Sequence, residues 1–211
     1  MEDLDLQDEH LVVVVRRAIL APAGVRGEGR VNLLRTQALA ALALAARSMG
    51  AELRTLKKDA RDAPLPSGGW HWSLSHTSLA DIGLVAASVS RSPVGVDAEA
   101  IQSPRPEIVE TTLDAAERRL FGRVDEALVF TRAWTAKEAV LKKLGLGLTA
   151  LSEVRIEDVD GDSIVVVRDG TRHPVESRSF AQFLVAISGR AREGVVWRSD
   201  EVSPSEVSRE A

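Results

Sequence analysis

Short apolar runs and two helical periodicities divide the chain. LVVVVR at 11–16 is an unbroken hydrophobic run of strand length and predicts a buried strand after a polar leader. From Val31 to Met49 the residues Val31, Leu34, Ala38, Leu42, Ala45 and Met49 recur at intervals of three and four. That spacing puts them on one face of an amphipathic helix, with Gly50 as its stop. A polar linker carrying Pro64, Pro66, Gly68 and Gly69 leads into HWSLSHT, where Trp72, Leu74 and His76 share one side of a strand. IGLVAASV, from Ile82 to Val89, predicts another strand, followed by SRSP and VGVDAEAI.

The pattern changes after this point. Pro104 and Pro106 punctuate a connection, and Asp114 to Leu144 carry a long helical pattern broken near Gly122 to Asp125. AWTAKEAVLKKLG is its most regular part, and Gly145 is placed to end it. Three strand-like segments follow, Val154 to Glu157, Ser163 to Arg168 and Ala181 to Ile187, separated by the turn formers of DVDGD and RDGT. The order predicts an α+β protein of two halves, 1–105 and 106–192. A charged, serine-rich segment, 193–211, reads as a flexible tail. No sequence repeat relates the halves.

Composition narrows the chemistry. The 211 residues are 45% hydrophobic and 27% charged, enough for a core and a solvated surface. No apolar run approaches the roughly 18 residues of a membrane helix, so no membrane partner is expected. The chain opens with Glu2, Asp3, Asp5, Asp8 and Glu9 rather than with a basic, then apolar leader, which predicts a cytoplasmic protein. The absence of cysteine removes disulfides, thiolate nucleophiles and sulfur-bound zinc together. A formal net charge of −4 gives no overall attraction to nucleic acid. Arg54, Lys57, Lys58 and Arg61 nevertheless form a local basic cluster suited to phosphate or to an acidic partner, or simply a solvated surface.

The candidate chemistry centres on GVDAE at 95–99. In an extended segment Asp97 and Glu99 point to one face, and two adjacent anions call for a cation; magnesium prefers such hard oxygen donors. Glu138, in WTAKEAVLKK, is a candidate third donor if its helix crosses that strand, with Lys142 one turn on. The plain alternatives are two exposed acids and a surface ion pair. His76 has the chemistry of a phosphate contact or an acid–base group, or of a packed histidine. Zinc-type HExxH spacing and a glycine-flanked serine elbow are both absent.

Three stretches in this order, WSLSHT at 72–77, VGVDAE at 94–99, and WTAKEAVLKKLG at 134–145 followed by LGL, resemble the motifs of the 4′-phosphopantetheinyl transferase superfamily, specifically its longer, two-half type. The resemblance implies a pseudo-twofold arrangement of two similar α/β subdomains. It implies Mg²⁺ held by Asp97, Glu99 and Glu138 on the diphosphate of coenzyme A, the co-substrate. Ser75 and His76 would contact the cofactor, His76 through a phosphate, and Lys142 the phosphate being transferred. Glu117 would be the base, with a metal-bound water as the alternative acceptor. The partner would be an apo acyl or peptidyl carrier protein of fatty-acid, polyketide or nonribosomal peptide synthesis, and a monomer is expected. Two departures stand out: Trp72-Ser73 where the family often has Phe-Asn, and KKDARDAPLP where it usually has a Gly-Lys-Pro-like element. Lys57, Lys58 and Arg61 are the replacements for the positive charge of that element. A magnesium-dependent phosphohydrolase and a noncatalytic carrier-binding module are the competing functions.

Overall fold

A computed structural model describes residues 10–20, 28–191 and 194–202; the acidic leader and the last nine residues lie outside these. The described chain forms β1 (Leu11–Ile19), α1 (Glu28–Ser48), β2 (His71–Leu79), β3 (Ile82–Ser90) and β4 (Gly95–Ala100). Three helices follow, α2 (Pro106–Thr112), α3 (Ala115–Leu120) and α4 (Glu126–Lys143), then a 3-10 turn at Leu148–Glu153. The remainder is β5 (Arg155–Asp160), β6 (Ser163–Arg168), β7 (Thr171–Phe180), β8 (Phe183–Ser188) and β9 (Val195–Val202).

Two sheets carry the fold, ordered β2-β3-β1-β9 and β4-β8-β7-β6-β5. The alternation along β1 explains their stacking. Val12 and Val14 face α1 together with Val85 and Ala87 of β3, whereas Val13 and Val15 meet Val96, Ala98, Val185 and Ile187 of the other sheet. Helix α1 therefore covers the outer face of the first sheet, and α4 covers the second through Ala133, Ala136, Ala139 and Val140. Each half is thus a sheet flanked by a helix, and the whole is an α+β, pseudo-twofold arrangement.

Several expectations change in detail. Val31, assigned by spacing to the buried face of α1, is 53% exposed, because the helix meets the core only from Leu33 and Leu34 onward. The segment expected to be a tail contains β9, which pairs parallel with β1 from Leu11↔Val195 to Ala18↔Val202. Its alternating Val195 and Trp197 pack into the layer between the sheets, which a charged sequence obscured. Strand β4, placed in the first half by the boundary at 105, pairs with β8 of the second sheet, so the sheets divide between β3 and β4. Strand β7, carrying Pro174, and the short α2 were not foreseen.

Candidate active site

The site lies where the edge strands of the two sheets meet, β2 from one and β4 from the other. Three side chains on β2 stitch them. Ser73 Oγ accepts from the Val96 amide at 2.9 Å, Ser75 Oγ donates to Asp97 Oδ1 at 3.0 Å, and Thr77 Oγ1 donates to Glu99 Oε2 at 3.2 Å. The polar half of the WSLSHT alternation therefore faces the acidic strand, while Trp72 and Leu74 pack beneath α1.

Helix α4 crosses directly over β4. A Cβ on Gly95 would lie 1.9 Å from the Ala139 carbonyl oxygen and 2.4 Å from the Lys143 amide, so only glycine permits this approach. Gly145 ends the helix with φ +65°. The Gly145 amide donates to Lys142 O at 3.1 Å and the Leu146 amide to Leu141 O at 2.8 Å, a Schellman closure. The crossing brings Lys142 Nζ to 2.7 Å from Asp97 Oδ1 and 3.1 Å from Ser75 Oγ.

The carboxylates form one electrostatic group. Burial, then the neighbouring charge of Asp97, pushes Glu99 up to about 7. Glu138 is likewise pushed up to about 7, by burial, then Asp97, with Glu99 adding to the effect. Asp97 Oδ2 and Glu138 Oε1 are buried without a hydrogen-bond partner. Among the described residues, no three His, Asp or Glu side chains are gathered closely enough to enclose a metal ion. The Lys142 ammonium instead neutralises Asp97, which accounts for part of the open arrangement. The donors still fit magnesium in kind: hard oxygens, two of them orphaned, and mutually repelled in a way a divalent cation would relieve.

Beside them opens a cleft of about 360 Å³ lined by Lys58, Arg61, Ser75, His76, Glu138 and Lys142, with the Gly145–Leu148 turn at one end. The 59–63 turn presents its cations because Asp59 Oδ1 accepts from the Arg61 and Ala63 amides, both at 2.9 Å. Lys58 Nζ is held by Asp62 at 2.6 Å, and Trp72 Nε1 ties the loop to β2 by donating to Leu65 O at 2.9 Å. The His76 residue is exposed overall. Partial desolvation of its ring, followed by the charges of Lys142, Arg35 and Lys58, holds the imidazole below its usual value and keeps it neutral. Arg35, on α1, is a positive contributor that sequence spacing missed; its place on the polar face of the helix was the available signal.

Four predicted residues do not line the cleft: Asp97 sits behind Ser75 and Lys142, Glu99 lines a separate opening, and Lys57 and Glu117 lie away from it. Lys57 is exposed and absent from its lining. Glu117 is buried in α3, where its carboxylate takes part in a capping box with Asp114 and pairs with Lys137 Nζ at 2.7 Å. A second opening is lined by Glu99, Ile108, Phe130, Thr131 and Trp134.

Fold and site together define an α+β protein of two helix-flanked sheets, with a cleft lined by cations and acids where their edges meet. Residues 93–188, a little under half of the 211, match the model of the 4′-phosphopantetheinyl transferase superfamily. The match begins just before β4 and ends with β8, spanning the second sheet and α4. A search of curated proteins returned no match.

Proposed function

We propose that this chain is a longer, two-half member of the superfamily. It transfers the 4′-phosphopantetheine arm of coenzyme A to a serine hydroxyl of an apo acyl or peptidyl carrier protein, with adenosine 3′,5′-bisphosphate as the second product. The observation that carries this reading is the cleft lined by Lys58, Arg61, Ser75, His76, Glu138 and Lys142, with Asp97 2.7 Å from the Lys142 ammonium. A diphosphate requires cations and neutral donors, which this cleft lines up, and a metal held by carboxylates, of which Glu138 reaches the lining.

Asp97, Glu99 and Glu138 would hold magnesium, which supplies Lewis-acid polarisation of the diphosphate and offsets the charge of the departing phosphate. Lys58 and Arg61 neutralise phosphate oxygens, while Ser75 and the neutral His76 donate hydrogen bonds to them. Lys142 stabilises the charge that builds on the transferred phosphate in the transition state. The carrier serine attacks the phosphorus attached to pantetheine, the bond from that phosphorus to the bridging oxygen breaks, and the serine proton leaves to water in the cleft, since Glu138 is committed to the metal. An acidic, folded carrier would be drawn to the basic rim by long-range attraction. Action as a cytoplasmic monomer completes the reading.

Incubation with coenzyme A, Mg²⁺ and a panel of apo carriers, read by intact mass, tests it. A gain of one phosphopantetheine arm is expected, and Glu138→Gln, by weakening the metal seat, should lower kcat by about 10²–10³-fold. Near-normal turnover of that variant would remove Glu138 from the chemistry. Release of inorganic phosphate without any carrier would favour a phosphohydrolase.

A further inference from the structure

Glu117 and Lys137 form a buried ion pair outside the cleft, with side chains 6% and 5% exposed. Each is bound beyond its partner. Glu117 Oε1 accepts from the Ile156 amide of β5 at 2.6 Å, and Oε2 from the Asp114 amide at 2.9 Å. Lys137 Nζ donates to Thr112 O, the last residue of α2, at 2.6 Å. One pair thus joins α2, α3, α4 and β5.

We propose that Glu117 is a positioning residue, and that its pair with Lys137 fixes the rotation of α4 that delivers Glu138 and Lys142 to β4. The inference rests on the transferase reading above and changes the part Glu117 plays in it. Three donors engage both of its oxygens, and the carboxylate is buried away from the cleft lining. Lys137 precedes Glu138 by one residue, about 100° around the helix axis. Anchoring Lys137 among α2, α3 and β5 therefore turns Glu138 toward the acidic strand. A buried pair of this kind resists loss of one member, which strands a charge, far more than loss of both.

The test is a double-mutant cycle of Glu117→Gln, Lys137→Met and the combined variant, read by urea unfolding, kcat, KM for coenzyme A and the pH profile of kcat. Each single change should lower the unfolding midpoint and reduce kcat at least about tenfold, with the combined variant recovering to within about threefold of wild type. The acid limb of the pH profile should be the same in Glu117→Gln as in wild type. If the singles fail to fold, recovery of folding and transfer in the combined variant supports the proposal, and continued loss of either overturns it. A Glu117→Gln protein as stable as wild type but about 100-fold slower, unrescued by Lys137→Met, would make Glu117 the base. Single variants indistinguishable from wild type would also overturn the proposal. Absence of transfer by wild type would count against the function instead; the unfolding cycle would still decide whether the pair is coupled, and additive stability effects would sink it.

Discussion

Lys142 has two possible partners at different stages, and that makes its substitution informative. In the ligand-free chain it neutralises Asp97 at 2.7 Å, so an incoming divalent cation must compete with an ammonium already in place. Lys142→Met should bind Mg²⁺ about tenfold more tightly in the absence of coenzyme A, by calorimetric titration, while transfer falls by about 10²–10³-fold. Weaker metal binding by this variant would show that Lys142 supports the metal seat rather than occupying it. The raised carboxyls give a second prediction. Glu138 ionises near 4.5 in an unfolded chain and near 7 in the folded one. Between these values the folded state holds the extra proton, so in chelator this group lowers stability progressively from about pH 4.5 to about pH 7. Glu138→Gln in chelator should therefore match wild type near pH 4 and exceed its urea midpoint above pH 7. Mg²⁺ should raise the wild-type midpoint at pH 8 and leave that of the variant nearly unchanged. An excess over wild type that stays constant with pH would mean that Glu138 is not titrating in this window.

At the scale of elements, the site depends on how closely α4 lies on β4. Gly95→Ala should destabilise the protein by about 1–3 kcal/mol through overpacking against Ala139 O, measured by urea unfolding. It should also lower kcat, because lifting the helix withdraws Glu138 and Lys142 from Asp97. Full activity with full stability would mean that the helix accommodates a methyl group and that the close approach is incidental. The acidic strand, the α4 pattern and the Gly145 stop were legible because each follows from a local period or cap. The contact of Gly95 with α4 was not, since it joins residues 44 positions apart and leaves no periodic trace. The burial of Glu117 was hidden for the same reason, because only the return of β5 supplies the amide of Ile156 that its carboxylate accepts from. The short α2 and the proline-bearing β7 were hidden because tertiary pairing, rather than local propensity, makes them regular.

Across the whole molecule, the cleft exists only if the two sheets keep their edges together, and the last strand helps to hold them. Strand β9 belongs to the first sheet through β1, yet Trp197 Nε1 donates to Glu176 Oε1 of β7 at 2.7 Å, and its ring meets Phe180 at 5.8 Å. A segment whose charge and serine content suggested a free end thus ties one sheet to the other. That role was invisible in sequence because a parallel partner nearly 200 residues upstream leaves no hairpin signal. Trp197→Ala should cost about 2 kcal/mol, since the ring is only partly buried and loses one hydrogen bond with its packing. If β9 maintains the seam, KM for coenzyme A should rise more than kcat falls, because the cationic loop on β2 and the carboxylates on β4 would no longer be held in register. Trp197→Phe keeps the packing and removes only the indole donor, so it should recover most of the loss. A Trp197→Ala protein that loses stability with no change in KM would confine β9 to holding the fold, and leave registration of the cleft to the Ser73, Ser75 and Thr77 contacts.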